Sequence, residues 1–171
     1  KKYTTILHMF KVKNLSVSVK DKIIIQDISL SINPGEIHVL MGPNGSGKTS
    51  LALALMGHPK YQRPEFRSKE CKVELDGEEI TDKTPDERAR MGLFLAAQYP
   101  VGIEGITVEQ LLRRSLQETS ETNKIDVLQF RKELEKLAQK LGVSKELLRR
   151  SINVGFSGGE KKRLEVLQML V

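Results

Sequence analysis

The chain has 171 residues, 39% hydrophobic and 29% charged, enough for one globular domain with a substantial core. No run approaches the roughly 20 apolar residues of a membrane span, and the first residues lack the basic, apolar and small-residue sections of a secretory signal. A soluble, cytoplasmic protein without direct membrane insertion is therefore expected. The net charge of +6 is interspersed with acids, as in Lys132-Glu133-Leu134-Glu135-Lys136, and aromatics make up only 5%, so nucleic acid is not an expected partner. The lone Cys71 allows no internal disulfide, and no Cys/His cluster has metal-ligand spacing.

Residues 1–9 show no clear period and are read as an N-terminal extension, in part of expression-vector origin. Leu15, Val17 and Val19 alternate with polar residues, and Ile23 to Ile25 with Ile28, Leu30 and Ile32 follow, which predicts antiparallel strands. Asn33-Pro34-Gly35-Glu36 places Pro and Gly at the centre of a type II turn. The nearly continuous apolar run Ile37-His38-Val39-Leu40-Met41 then predicts a buried strand, with His38 as a satisfied core histidine. Thr49 to Met56, Ala/Leu-rich and unbroken until Gly57, predicts a helix. Cys71, Val73 and Leu75 alternate before the turn pair Asp76-Gly77, predicting a hairpin strand. Thr84-Pro85-Asp86-Glu87 marks a helix start, and 91–97 is read as a further strand.

From Thr107 the pattern turns helical. Thr107 with Gln110 forms a capping box ahead of Leu111, Leu112 and Leu116, and 118–124 is a polar loop. Val127, Phe130, Leu134, Leu137, Ala138 and Leu141 recur at helical spacing up to Gly142, and Ser144 caps a short helix.

Gly42-Pro43-Asn44-Gly45-Ser46-Gly47-Lys48-Thr49 satisfies the phosphate-loop pattern G-x-x-x-x-G-K-[ST] between a predicted strand and a predicted helix. Small residues let backbone N–H groups converge on phosphates, and the positive helix end adds attraction. Lys48 is placed to reach the β and γ phosphates, Thr49 to hold Mg²⁺, and Ser50 a nearer phosphate. About 110 residues later, Ser157 caps a helix whose N3 residue is Glu160, and Gly158 and Gly159 leave the backbone bare, a second anion site at a helix start.

Phe156-Ser157-Gly158-Gly159-Glu160-Lys161-Lys162-Arg163 resembles the signature sequence of the ABC ATPase family. Gln98 at the end of an apolar run resembles the family's Q-loop glutamine. The resemblance covers residues 10–171 and implies an α/β P-loop NTPase fold with an N-terminal antiparallel β region and an α-helical insert. The expected organisation is a β region and phosphate-loop core at 10–106, a helical insert at 107–150, and the signature motif with its helix at 151–171. It implies ATP and Mg²⁺ as ligands, with Gln98 beside the metal and attacking water. It also implies an ATP-dependent head-to-tail homodimer in which Ser157, Gly158, Gly159 and Glu160 meet the γ-phosphate held by the other subunit. Gln98-Tyr99-Pro100-Val101 and the stretch from Ser151 to Met169 look like the ATPase of the SUF iron–sulfur cluster assembly system. That narrower resemblance implies SUF scaffold proteins (SufB/SufD-like) as partners of the insert.

Family members continue from the signature helix into the Walker B Asp, catalytic Glu and switch His, and none of these lies in the 171 residues. The C-terminal half of the core is therefore expected beyond Val171, and the segment alone is expected to hydrolyse ATP negligibly. Two other functions share the same motifs: the nucleotide-binding subunit of a membrane ABC transporter, and a nucleotide-responsive module without catalysis. Val19 stands where many ABC ATPases stack adenine on an aromatic ring. Base–aromatic stacking is worth about 1–3 kcal/mol, so nucleotides should bind loosely and with tolerance for the base. Titration of ATP against GTP checks this, and a sub-micromolar affinity with strong adenine preference would contradict it.

Overall fold

The structure, a computed structural model, describes residues 8–20, 22–64, 71–119 and 124–171. The chain divides into two compact units, Lys1–Leu95 and Ala96–Val171. Part of the polar loop expected at 118–124, and nearly all of the N-terminal extension, lie outside the described residues.

In the first unit, strands β1 (Phe10–Val19), β2 (Lys22–Ile32), β3 (Lys72–Leu75) and β4 (Glu78–Glu79) form a sheet of order β2-β1-β3-β4. Each pairing is antiparallel. Strict alternation would put Val12 and Leu15 on opposite faces, yet both are buried. The pairing with β2 shifts between these residues, and positive φ at Asn14 and at Asp27 marks the irregularity that turns them to one side. The buried Ser16 hydroxyl accepts from the Asp27 amide at 3.1 Å, so the bulge leaves no stranded polar group there. Asp76-Gly77 forms the expected β3–β4 turn with φ of 52° and 82°. That is the left-handed pair a two-residue type I′ hairpin requires.

Helices α1 (Lys48–Leu55) and α2 (Pro85–Arg90) complete this unit. Leu51 of α1 packs into the core of Phe10, Val12, Leu15, Val17 and Val73. Eight residues are too few to be helical unaided, so α1 depends on packing and on Arg88. The Arg88 side chain is buried and donates to the carbonyls of Ala54 at 3.3 Å, Leu55 at 2.5 Å, Thr81 at 2.9 Å and Lys83 at 3.0 Å. Two of these belong to the last turn of α1, where cationic donors satisfy otherwise unpaired carbonyls. Cys71 is buried in the same cluster, and burial pushes its thiol above the usual range, which keeps it protonated and unreactive.

The second unit is helical: α3 (Val108–Thr119), α4 (Val127–Lys140), α5 (Lys145–Leu148) and α6 (Gly158–Leu170). Phe130, Leu134 and Ala138, spaced by four, bury one face of α4 against Leu112, Leu147, Leu164 and Leu167. Each fully buried Leu or Phe contributes about 1.5–3 kcal/mol. Asp126 caps α4 by accepting from the amides of Leu128 and Gln129, and Ser144 caps α5.

Two expected strands are not formed. Residues 37–41 and 93–97 have no regular structure, and Ile37 and Met41 are 90% and 84% exposed. A strand exists only through hydrogen-bonded neighbours, and among the described residues none pairs with 37–41. His38 is correspondingly not a core histidine. It is exposed, and its Nε2 lies 3.0 Å from the Glu36 carboxylate. Hydrogen bonds from the Asn33 side chain and amide, then from His38, hold the Glu36 carboxyl at about 2.

Arg88→Met should destabilise the protein by about 3 kcal/mol, because four carbonyls lose their donor. Arg88→Lys should recover little of this, since an ammonium cannot span the planar fork. Urea unfolding of both variants checks it.

Candidate functional site

Residues 42–50 run from irregular backbone into α1, with Gly47 as the residue before the helix. Gly47 has φ 92°, a conformation that side-chain-bearing residues rarely adopt. A Cβ on Gly42 would come 2.9 Å from the Ser46 hydroxyl, so the loop closes on itself only with glycine there. The start of α1 carries no side-chain cap, whereas α4, α5 and α6 accept their first-turn amides with Asp126, Ser144 and Ser157. The first carbonyl-paired amide of α1 is Leu51, bonded to Gly47 at 2.8 Å. Amides ahead of it on a helix start form a cradle for an anion.

Lys48 closes the other side of the cradle. Its ammonium donates to the Gly42 carbonyl at 2.8 Å, the Pro43 carbonyl at 2.7 Å and the Ser46 hydroxyl at 3.4 Å. An ammonium has three donors, so the loop's own oxygens hold the charge at the mouth of the turn. Phosphate oxygens can replace these contacts with charge-assisted ones. Thr49 is exposed and Ser50 half-buried at the same helix start, so a hydroxyl stands at the outer edge of the loop as a hard-cation ligand requires. These residues fit a phosphate chain with a divalent cation.

In the second unit, Ser157 and Glu160 form the expected capping box. The Ser157 hydroxyl accepts from the Glu160 amide at 3.3 Å, and the Glu160 carboxylate accepts from the Ser157 amide at 2.7 Å. That hydrogen bond, with Arg150 and Arg163 nearby, holds the Glu160 carboxyl below its ordinary range. A Cβ on Gly158 would meet nothing within 4 Å, and on Gly159 only the end of Arg163 at 3.9 Å. Neither glycine has positive φ, so nothing inside the unit demands glycine there. The bare surface is available to something outside it.

Gln98 lies exposed in a bend of the same unit. The segment after it is hydrogen-bonded to the segment before Ser157: Ile103 donates to the Ile152 carbonyl at 3.0 Å, Ile152 to Ile106 at 2.9 Å and Val108 to Arg150 at 3.2 Å. Lys48 and Thr49 thus share one loop in the first unit, while in the second Gln98 precedes, and Ser157 follows, two segments that are hydrogen-bonded to each other. The sequence pattern gives Asn153 no role; the structure places it at φ 58° with its side chain buried beside this lacing. An Asn shortly before a Gly, outside any regular element, is the available signal for such a left-handed position.

A phosphate loop opening a helix, with a glycine-bearing capped helix in the other unit, defines a nucleotide-binding class of protein. A family model described as ABC transporter matches residues 25–171, and the chain belongs to that family. It is 41% identical over 166 residues to a probable ABC transporter ATP-binding protein of Streptococcus pyogenes serotype M18, covering 96% of this chain and 63% of that protein. It is likewise 41% identical to the probable ATP-dependent transporter SufC of Escherichia coli strain K12, covering 95% of this chain and 65% of that protein. The chain thus spans somewhat under two thirds of the length of these relatives. A solved ATP-binding subunit of an ABC transporter superposes with TM-score 0.71 at 22% identity, covering 95% of this chain and 62% of that one, a likeness of fold. Among the described residues no helix is long and apolar enough to cross a membrane.

The Ser157–Glu160 cap contributes fully above the ordinary Glu value of 4.5 and is lost as pH falls through the lower folded-state value. In an acid titration followed by NMR, the Ser157 amide should therefore shift with a midpoint below 4.5. A midpoint at or above that value would contradict the depressed carboxyl.

Proposed function

We propose that the chain is the nucleotide-binding part of an ATPase that drives iron–sulfur cluster assembly in the cytoplasm, acting on SUF scaffold partners. The observation that carries the nucleotide site is the uncapped start of α1 with Lys48 folded over it. Gly42, Pro43, Asn44, Gly45, Ser46, Gly47, Lys48, Thr49 and Ser50 hold the phosphates of ATP, with Lys48 exchanging its loop carbonyls for phosphate oxygens. Thr49 would hold Mg²⁺, which would supply charge neutralisation at the phosphates. Ser157, Gly158, Gly159 and Glu160 offer a bare helix start to the γ-phosphate held by a second copy, so ATP joins two chains head to tail. The insert at 107–150 carries the resulting change to scaffold proteins of the SufB/SufD type. ATP energy reaches a partner only where the two nucleotide states bind it differently. The likeness to a relative named SufC at 41% identity supports the assembly role.

A second reading, the nucleotide-binding subunit of a membrane transporter, is favoured by the description of the matched family and by the relatives' names. Affinity purification of the full-length protein from native extract separates the two. Soluble scaffold proteins are the expected companions, and membrane permeases in their place would overturn the assembly role. Phosphate release by the full-length protein should fall at least 100-fold in Lys48→Ala. Turnover unchanged by that substitution would remove the phosphate loop from the chemistry, and a wild-type protein with no turnover would leave a binding module.

A further inference from the structure

Three features of the second unit converge on Asn153. Its backbone sits at φ 58°, a left-handed conformation that Asn and Gly tolerate and most residues do not. Its side chain is 7% exposed, and its Nδ2 donates to the Val101 carbonyl at 3.0 Å. A carbonyl only accepts, so this contact settles which end of the amide faces Val101. The other end, Oδ1, is buried with no partner among the described residues. A buried acceptor left unpaired is unfavourable, and a residue that combines it with left-handed backbone is held there by what its donor does.

What the donor does is join two functional segments. Val101 follows Gln98 by three residues, and Asn153 precedes Ser157 by four. Gly102 allows the approach, because a Cβ there would come 3.2 Å from the Val154 side chain and 3.5 Å from the Asn153 backbone. Beyond this point backbone bonds take over, with Gly105 also donating to the Ser151 hydroxyl at 3.2 Å. On the other side, Arg150 donates to the Val154 carbonyl at 3.2 Å and stacks 5.1 Å over Phe156, which is buried beside Leu164 and Leu167 of the core. Among the described residues, the Asn153 bond to Val101 is the side-chain hydrogen bond from the signature segment that lands nearest to Gln98 in sequence.

We propose that Asn153 is a positioning residue, its Nδ2–Val101 bond fixing Gln98 and the Ser157 helix start in one rigid body so that a displacement of either is delivered to the other. This rests on the ATPase reading for its consequence, and on geometry alone for the link. Asn153→Asp keeps the volume and the tolerance for left-handed backbone but sets a carboxylate oxygen against the Val101 carbonyl. In the full-length protein it should lower kcat about tenfold while leaving KM for MgATP and calorimetric MgATP affinity within twofold, since the phosphate loop is untouched. Its effect should shrink to under twofold in a Gln98→Ala background, because the two act through one path. Amide exchange at Ile103, Ile152 and Val108 should quicken at least tenfold in Asn153→Asp. Asn153→Gly, which keeps the backbone and removes the donor, should behave alike and serves if the Asp variant does not fold. Unchanged exchange, or a kcat loss that simply adds to that of Gln98→Ala, would overturn the proposal. Gln98→Ala with wild-type turnover would instead overturn the role given to Gln98, and the exchange measurement would still decide the link.

Discussion

Helix α1 is held at its C-terminal end. It has eight residues, no side-chain cap at its start and a single buried residue, Leu51. Its stability has to come from elsewhere, because a helix this short does not repay its own nucleation. The Arg88 guanidinium supplies it by joining two last-turn carbonyls of α1 to two carbonyls near the start of α2. Anchoring at the C-terminal end is what allows the N-terminal end to remain without a side-chain cap. Binding capacity and local stability are thus divided between the two ends of one short element.

The second unit solves the opposite problem. Its helix starts are satisfied internally: Asp126 on α4, Ser144 on α5, and the reciprocal Ser157–Glu160 pair on α6. Helix α6 is therefore stable without a ligand, and its glycines leave a bare surface on a structure already formed. A surface already formed meets whatever docks on it without first having to order itself, so little conformational entropy is spent on contact. The Glu160 carboxylate limits the attraction, with Arg150 and Arg163 as the nearby countercharges.

Elements that depend on nearby residues were legible in the sequence. The Asp76-Gly77 turn, the Thr84 and Ser157 boxes and the four-residue spacing of Phe130, Leu134 and Ala138 each carry their own geometry, and each formed as read. The helix after Gly47 was legible for the same reason, since contiguous residues build it. Residues 37–41 and 91–97 failed because apolar content says only that a segment would be buried if paired. Pairing is non-local, and no described residue supplies it. His38 failed with its strand. Asn153 escaped because its importance lies in a contact 52 residues away with a backbone carbonyl, which no side-chain pattern announces.

The exposed run at 37–41 has a consequence in time rather than in space. Translation proceeds at about 5–20 residues per second, so roughly ten seconds separate the synthesis of Met41 from that of Val171. Until a strand neighbour reaches them, Ile37, Val39, Leu40 and Met41 are an exposed apolar segment with no strand pairing among the described residues. Segments of this kind are what holdase chaperones bind and what proteases reach when chaperones are scarce. The yield of native protein in a cell should therefore rise with chaperone supply.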